Sequence, residues 1–131
     1  MSLEWSDINV VGGVLKLWFR LLPNSLLPRE LYSEFIFAAD LNKSEAQRLQ
    51  LTKVVLTKLP KRNYNVLKYL LAHLCRVAEK GAANKMFAEN LGAVFGPSLM
   101  RSPREDDLST MGVQCVVIEY MIKRFHECFE T

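Results

Sequence analysis

An all-α fold of a single domain is the class this sequence predicts, on three observations. Apolar residues recur at intervals of three and four along most of the chain. Sustained apolar–polar alternation is missing, and no Asn-Gly or Asp-Gly dipeptide marks a hairpin turn. With 131 residues, half of them apolar, the chain is long enough to bury one substantial core. No linker, repeat or low-complexity tract divides it, so residues 1–131 read as one helical bundle of five to six helices, with Met1-Ser2-Leu3 read as an expression leader.

The first helix is expected from about Asp7 to Leu22. Val10, Val11, Val14, Leu15, Trp18 and Phe19 form its apolar side, Ser6 or Asp7 its cap, and Pro23 its end. Pro28 suits a first helical position, and Leu31, Phe35 and Ala38 or Ala39 follow as a short second helix. Asn42 with Glu45 three residues on resembles a capping pair for a third, running through Leu49, Val54 and Leu56 to about Leu59 before Pro60.

The fourth, about Lys61 to Lys80, has the clearest stripe, made of Leu67, Leu70, Leu71, Leu74, Val77 and Ala78, and Gly81 is its stop. A fifth begins near Asn84, whose amide oxygen suits a helix cap, and is interrupted at Gly96-Pro97 because proline lacks the amide hydrogen. Residues Arg101 to Asp107 read as a solvated loop. The last helix, about Ser109 to Phe129, buries Val113, Val116, Val117, Tyr120, Met121 and Phe125.

Several function classes are excluded. A net charge of +3, from 17 basic and 14 acidic residues, is too mild for a dedicated nucleic-acid binder or a polybasic membrane surface. The basic stretch Lys58 to Lys68 has only Tyr64 as aromatic company and reads as a solvated corner between helices. No run approaches the about 18 apolar residues of a membrane span, so no membrane insertion is expected. Three cysteines, Cys75, Cys115 and Cys128, lie in apolar helical stretches and read as reduced thiols of a cytoplasmic protein.

Self-contained catalysis is not expected. There is no Gly-x-Ser-x-Gly turn, and Gly12-Gly13 runs into Val14 and Leu15 rather than a phosphate-binding Lys-Ser/Thr. The pairs His73/Cys75 and His126/Cys128 suggest metal ligands, but residues two apart on a helix point about 200° away from each other. Neither pair holds an ion unaided, and no metal or cofactor is expected. What remains is Lys16 and Arg20, spaced by four on one face of the first helix. By spacing alone, their stems lie along apolar surface with the charged heads in water.

Three segments read together change that weight. Residues 15–23, "LKLWFRLLP", resemble the Leu-Lys-x-x-x-Arg-x-Leu-Pro signature of the Rho GTPase-activating (RhoGAP) domain. "LPKRNYNVLKYLLAHLCRV" is similar to that family's Leu-Pro-x-x-Asn-x-x-x-Leu-x-x-Leu-x-x-His-Leu-x-x-Val helix. "NKMFAENLGAVFGPSL" is similar to its Asn-Lys-Met-x-x-x-Asn-Leu-Ala-x-Val-Phe-Gly-Pro-x-Leu block, with Gly92 where alanine is usual. The three occur in the family's order and cover about Ser6 to Phe129.

The resemblance implies an all-helical domain that binds GTP-loaded Rho-family GTPases and stimulates GTP hydrolysis. It places Lys16, Arg20 and Asn90 on the GTPase-facing site and leaves Asn84 a structural cap. GTP and Mg2+ would belong to the partner. The family's catalytic arginine stands in a Gly-x-Phe/Tyr-Arg-x-x-Gly pattern upstream of the Leu-Lys-x-x-x-Arg block, and this sequence contains no such pattern.

We therefore expect the chain to be the C-terminal portion of such a domain, weak or inactive alone. The alternative is a non-catalytic module that holds a GTPase or another protein. Apolar surface left uncovered in a shortened bundle predicts a compensating homodimer or a locally rearranged first helix.

Overall fold

The structure is a computed structural model that describes the backbone of residues 5–84, 87–101 and 111–129, and the side chains of 13–83, 87–101 and 112–129. Helix α1 spans Trp5–Arg20, and a 3-10 turn at Arg29–Leu31 leads into α2, Tyr32–Ala38. Then follow α3 (Glu45–Thr57), α4 (Lys61–Glu79), α5 (Gly81–Asn84), α6 (Ala88–Leu99), α7 (Met111–Lys123) and α8 (Phe125–Phe129). Among the described residues there is no strand. A parallel bridge joins Leu27 to Met100, with the Leu27 N–H donating to the Leu99 carbonyl at 3.0 Å.

Helix α4 delivers the predicted stripe: Leu67, Leu70, Leu71 and Leu74 are all buried. They meet Leu91, Phe95 and Leu99 of α6 and Val117, Ile118 and Met121 of α7 in one core that also takes in Phe19 of α1. Removing one such leucine side chain costs about 2–5 kcal/mol, since the cavity collapses only partly.

Several boundaries differ from expectation: Pro28 caps the 3-10 turn rather than opening α2, and others differ for local reasons. The cap of α3 is Ser44, not Asn42. The Ser44 hydroxyl accepts from the Gln47 N–H at 3.3 Å while Gln47 Oε1 accepts from the Ser44 N–H at 3.1 Å, a complete capping box. Asn42 instead gives its N–H to the Asp40 carboxylate at 2.9 Å.

Gly81 does not only stop α4; it opens α5. It is buried, and a Cβ there would meet the Phe87 ring at 2.5 Å. Its missing side chain is the space the ring occupies.

Helix α6 starts at Ala88, with Phe87 in the cap position and no side-chain cap bond, and it runs through Pro97 without a break. The proline removes only the bond to the Ala93 carbonyl, and Ala93 is an exposed residue, so water can donate to that oxygen instead. The last predicted helix divides at Arg124 into α7 and α8. Even there the bonds from Arg124 N–H to Tyr120 O and from Cys128 N–H to Arg124 O, both 2.9 Å, carry the spiral across the joint.

The apolar side of α1 is also redrawn. Phe19 is buried and Leu15 and Leu22 are half-buried, whereas Val14 and Trp18, expected inside, are 64% and 52% exposed. Leu17 and Leu21 are exposed with them. Ser6 and Asp7, expected as caps, lie inside α1, which already begins at Trp5. The side chains of Val10 and Val11 and the loop predicted beyond Arg101 lie outside the described residues.

Candidate functional site

Helices α1 and α6 carry the three residues singled out in the sequence, and the two helices pack on each other. At about 100° per residue, α1 divides into three stripes. Leu15 and Phe19 point to the core, Lys16 and Arg20 lie beside them, and Val14, Leu17, Trp18 and Leu21 form an exposed apolar strip beyond.

Arg20 is fixed to α6. Its Nε donates to Ser98 Oγ at 3.3 Å, and Ser98 is fully buried. With Nε so engaged, the two terminal nitrogens are left as the planar fork that suits a carboxylate or phosphate. Lys16, one turn earlier, is half-buried along its stem. Asn90 stands exposed on α6, on the same face as Val94 and Pro97. Asn84 is the last residue of α5 rather than the first of α6, and its side chain lies outside the described residues.

The orientation of α1 is set by residues that motif reading left aside. Arg101 follows α6 and reaches back, its Nη2 donating to the Phe19 carbonyl at 3.0 Å and the Leu22 carbonyl at 2.6 Å. A cation at a helix C-terminus satisfies carbonyls that lack intrahelical partners and opposes the helix dipole.

The loop after α1 is held as firmly. Asn24 Oδ1 accepts from the N–H groups of Ser25 at 2.9 Å and Arg29 at 3.2 Å, and the buried Ser25 hydroxyl donates to Leu27 O at 2.6 Å. Asn63, the asparagine of the Leu-Pro-x-x-Asn motif, donates to the Leu26 carbonyl at 2.9 Å. A cleft of about 220 Å³ opens between these parts, lined by Trp18, Leu22, Pro23, Arg62, Asn63 and Val66 among others.

Two cations and an amide can grip an acidic or phosphate-bearing surface, but they supply no nucleophile. Elsewhere, Cys75 and Glu79 of α4 and His126 of α8 place three metal-ligating atoms within 4.8 Å of one another. The three cysteines are free, with Cys128 buried and Cys75 and Cys115 half-buried. Among the described residues, no helix is long and apolar enough to cross a membrane.

Comparison with known proteins fits this geometry. A family model described as the RhoGAP domain matches residues 1–104. The chain is 40% identical over 131 residues to the GTPase-activating protein CdGAPr of Drosophila melanogaster, covering 95% of this chain and 7% of that protein. It is 41% identical over 122 residues to beta-chimaerin of Mus musculus, covering 91% of this chain and 36% of that one.

Among solved structures, that of human Rho GTPase activating protein 15 superposes with a TM-score of 0.84 at 34% identity, over 95% of this chain and 60% of that one. The BH domain from GRAF, the GTPase regulator associated with focal adhesion kinase, gives 0.81 at 34% identity, over 89% and 63%. The chain thus spans less than two thirds of the length of each.

Proposed function

The chain belongs to the RhoGAP domain family, and on that premise we propose that it engages GTP-loaded Rho-family GTPases through Lys16, Arg20 and Asn90 in the service of GTP hydrolysis. The observation that carries the reading is the Arg20–Ser98 bond. It ties the helix bearing the two cations to the helix bearing the amide. A fixed guanidinium fork loses little further freedom when it meets an acidic or phosphate-bearing partner.

Phosphoryl transfer to water gains most from positioning and from positive charge placed on the transferring group, where an arginine finger is worth about a thousand- to a hundred-thousand-fold. Three of the described arginines have other duties. Arg48 covers the Tyr120 ring, Arg101 holds the end of α1 and Arg124 pairs with Glu45 and Glu127. No arginine of the sequence stands in the Gly-x-Phe/Tyr-Arg-x-x-Gly pattern, and on that ground we assign the finger to an arginine outside these 131 residues.

Single-turnover GTP hydrolysis by a panel of Rho-family GTPases tests both parts. The expected result is that this chain binds the GTP-analogue-loaded form with weak or no acceleration, and that a version extended upstream accelerates. Binding without acceleration by the extended version would make the domain a non-catalytic holding module. Acceleration near a thousandfold by this chain alone would overturn the assignment of the finger.

Two further readings are part of this proposal. The strip Val14, Leu17, Trp18 and Leu21 is covered by a second copy in a two-fold homodimer, supported by four large apolar side chains left on one helix face. A light-scattering mass of one chain at high concentration counts against it. A cytoplasmic location is supported by the three free thiols.

A further inference from the structure

We propose that Cys75, Glu79 and His126 form a binding site for a divalent transition-metal ion of the zinc type, stapling α4 to α8. The placement is not an accident of flexible side chains alone. Cys75 and Glu79 are four apart on α4 and so share a face, with the Cys75 Sγ 3.8 Å from Glu79 Oε1.

His126 is brought to that face by α8, and α8 is pinned beside it. Phe129 is buried, stacks on Phe125 at 5.1 Å and meets Tyr64 of α4 at 5.6 Å. The three ligand atoms then lie within 4.8 Å of one another. Tetrahedral zinc, with bonds of about 2.3 Å to sulfur and about 2.0–2.2 Å to nitrogen and oxygen, asks for donor–donor edges of about 3.4–3.6 Å. Closing the difference takes a small rotamer shift of Glu79 and His126, both exposed.

The donor set decides the metal. One thiolate, one imidazole and one carboxylate suit zinc with water as fourth ligand. Magnesium and calcium want six or more oxygens and find one carboxylate here. On binding, the Cys75 S–H bond gives way to a sulfur–metal bond and the proton goes to solvent, while the imidazole ligates in its neutral form.

Each His-x-Cys pair contributes one member. His73 points elsewhere, its ring against Tyr69 at 4.7 Å, and Cys128 is buried. An ion bound only by the folded state raises its stability by mass action.

Titration of the metal-free full chain with zinc chloride and, separately, cobalt chloride tests the site. Expected are one ion per chain, a raised Tm, and a cobalt–thiolate charge-transfer band with visible bands typical of tetrahedral cobalt. Millimolar magnesium should leave all three unchanged. Cys75→Ser should abolish the charge-transfer band, and Glu79→Gln and His126→Gln should each weaken zinc binding at least about tenfold, while His73→Gln has no effect.

These substitutions are at half-buried or exposed positions, and circular dichroism checks that each variant is folded. The proposal is overturned if folded wild-type chain shows no saturable zinc binding. It is equally overturned if Cys75→Ser alone matters, which marks a lone thiol adduct, or if His73→Gln weakens binding as much as His126→Gln.

Discussion

Gly92 of α6 faces the backbone of Cys115 in α7 so closely that a Cβ on Gly92 would stand 2.6 Å from the Cys115 carbonyl oxygen. One turn on, a Cβ at Gly96 would lie 3.0 Å from Cys115 Cα and N. The two glycines form a flat strip on which α7 rests, and both helices bury their largest residues around it. Gly92→Ala is therefore expected to destabilise by about 1–3 kcal/mol, because backbone rather than a movable side chain is in the way. Urea unfolding of the variant checks this, and an unchanged midpoint would show that α7 gives way at little cost. The outcome is informative because alanine is the usual residue of the related motif.

Arg101→Ala should cost about 1–3 kcal/mol by taking the donor from the Leu22 carbonyl and leaving the Phe19 carbonyl only the long bond from the Leu22 N–H at 3.4 Å. The same change should weaken binding of a GTP-analogue-loaded GTPase, since α1 loses its fixed end. If binding holds while stability falls, Lys16 and Arg20 do not need that anchor.

Core and contact residues should separate cleanly. Leu71→Ala, at a fully buried position, is expected to lose about 2–5 kcal/mol of stability. Lys16→Ala and Asn90→Ala should leave the urea midpoint within about 0.5 kcal/mol of wild type while lowering GTPase affinity. A reversed pattern would mean that the contact face lies elsewhere.

Alkaline pH should destabilise the fold. Burial pushes the Cys128 thiol from 9.0 up to about 12, and burial pushes the Tyr120 hydroxyl from 10.0 to about 12. Between those limits the unfolded chain has released protons that the folded one retains, so stability falls as pH rises and is fully present below about 9. Urea midpoints at increasing pH should decline over this window, and Cys128→Ala should decline less steeply.

Much of this fold was legible because its signals are local. The α4 stripe, the end of α1 before Pro23 and the helical class all follow from periodicity and proline alone. Where the reading failed, distant partners decided. Pro97 looked like a break because its sequence neighbours do not reveal that Ala93 is exposed.

Val14 and Trp18 looked buried because two apolar stripes share α1 and only one meets the core. Motif resemblance named the candidate contact residues by type. The bonds that hold their helices were not legible, since Ser98, Asn63 and Arg101 act through bonds reaching 37 to 82 residues along the chain. A cation just past a helix end was the one available hint of Arg101.

The clamp of Arg101 on Phe19 and Leu22 also bears on the order of assembly. It closes loops of 82 and 79 residues, so the end of α1 cannot be fixed until residue 101 has been made. Emerging from a ribosome, the helix that carries Lys16 and Arg20 waits while α2 to α6 are made. The face proposed to meet a GTPase thus takes its direction only after α6 is complete, and a chain halted before residue 101 would own Lys16, Arg20 and Asn90 without a fixed direction in which to present them.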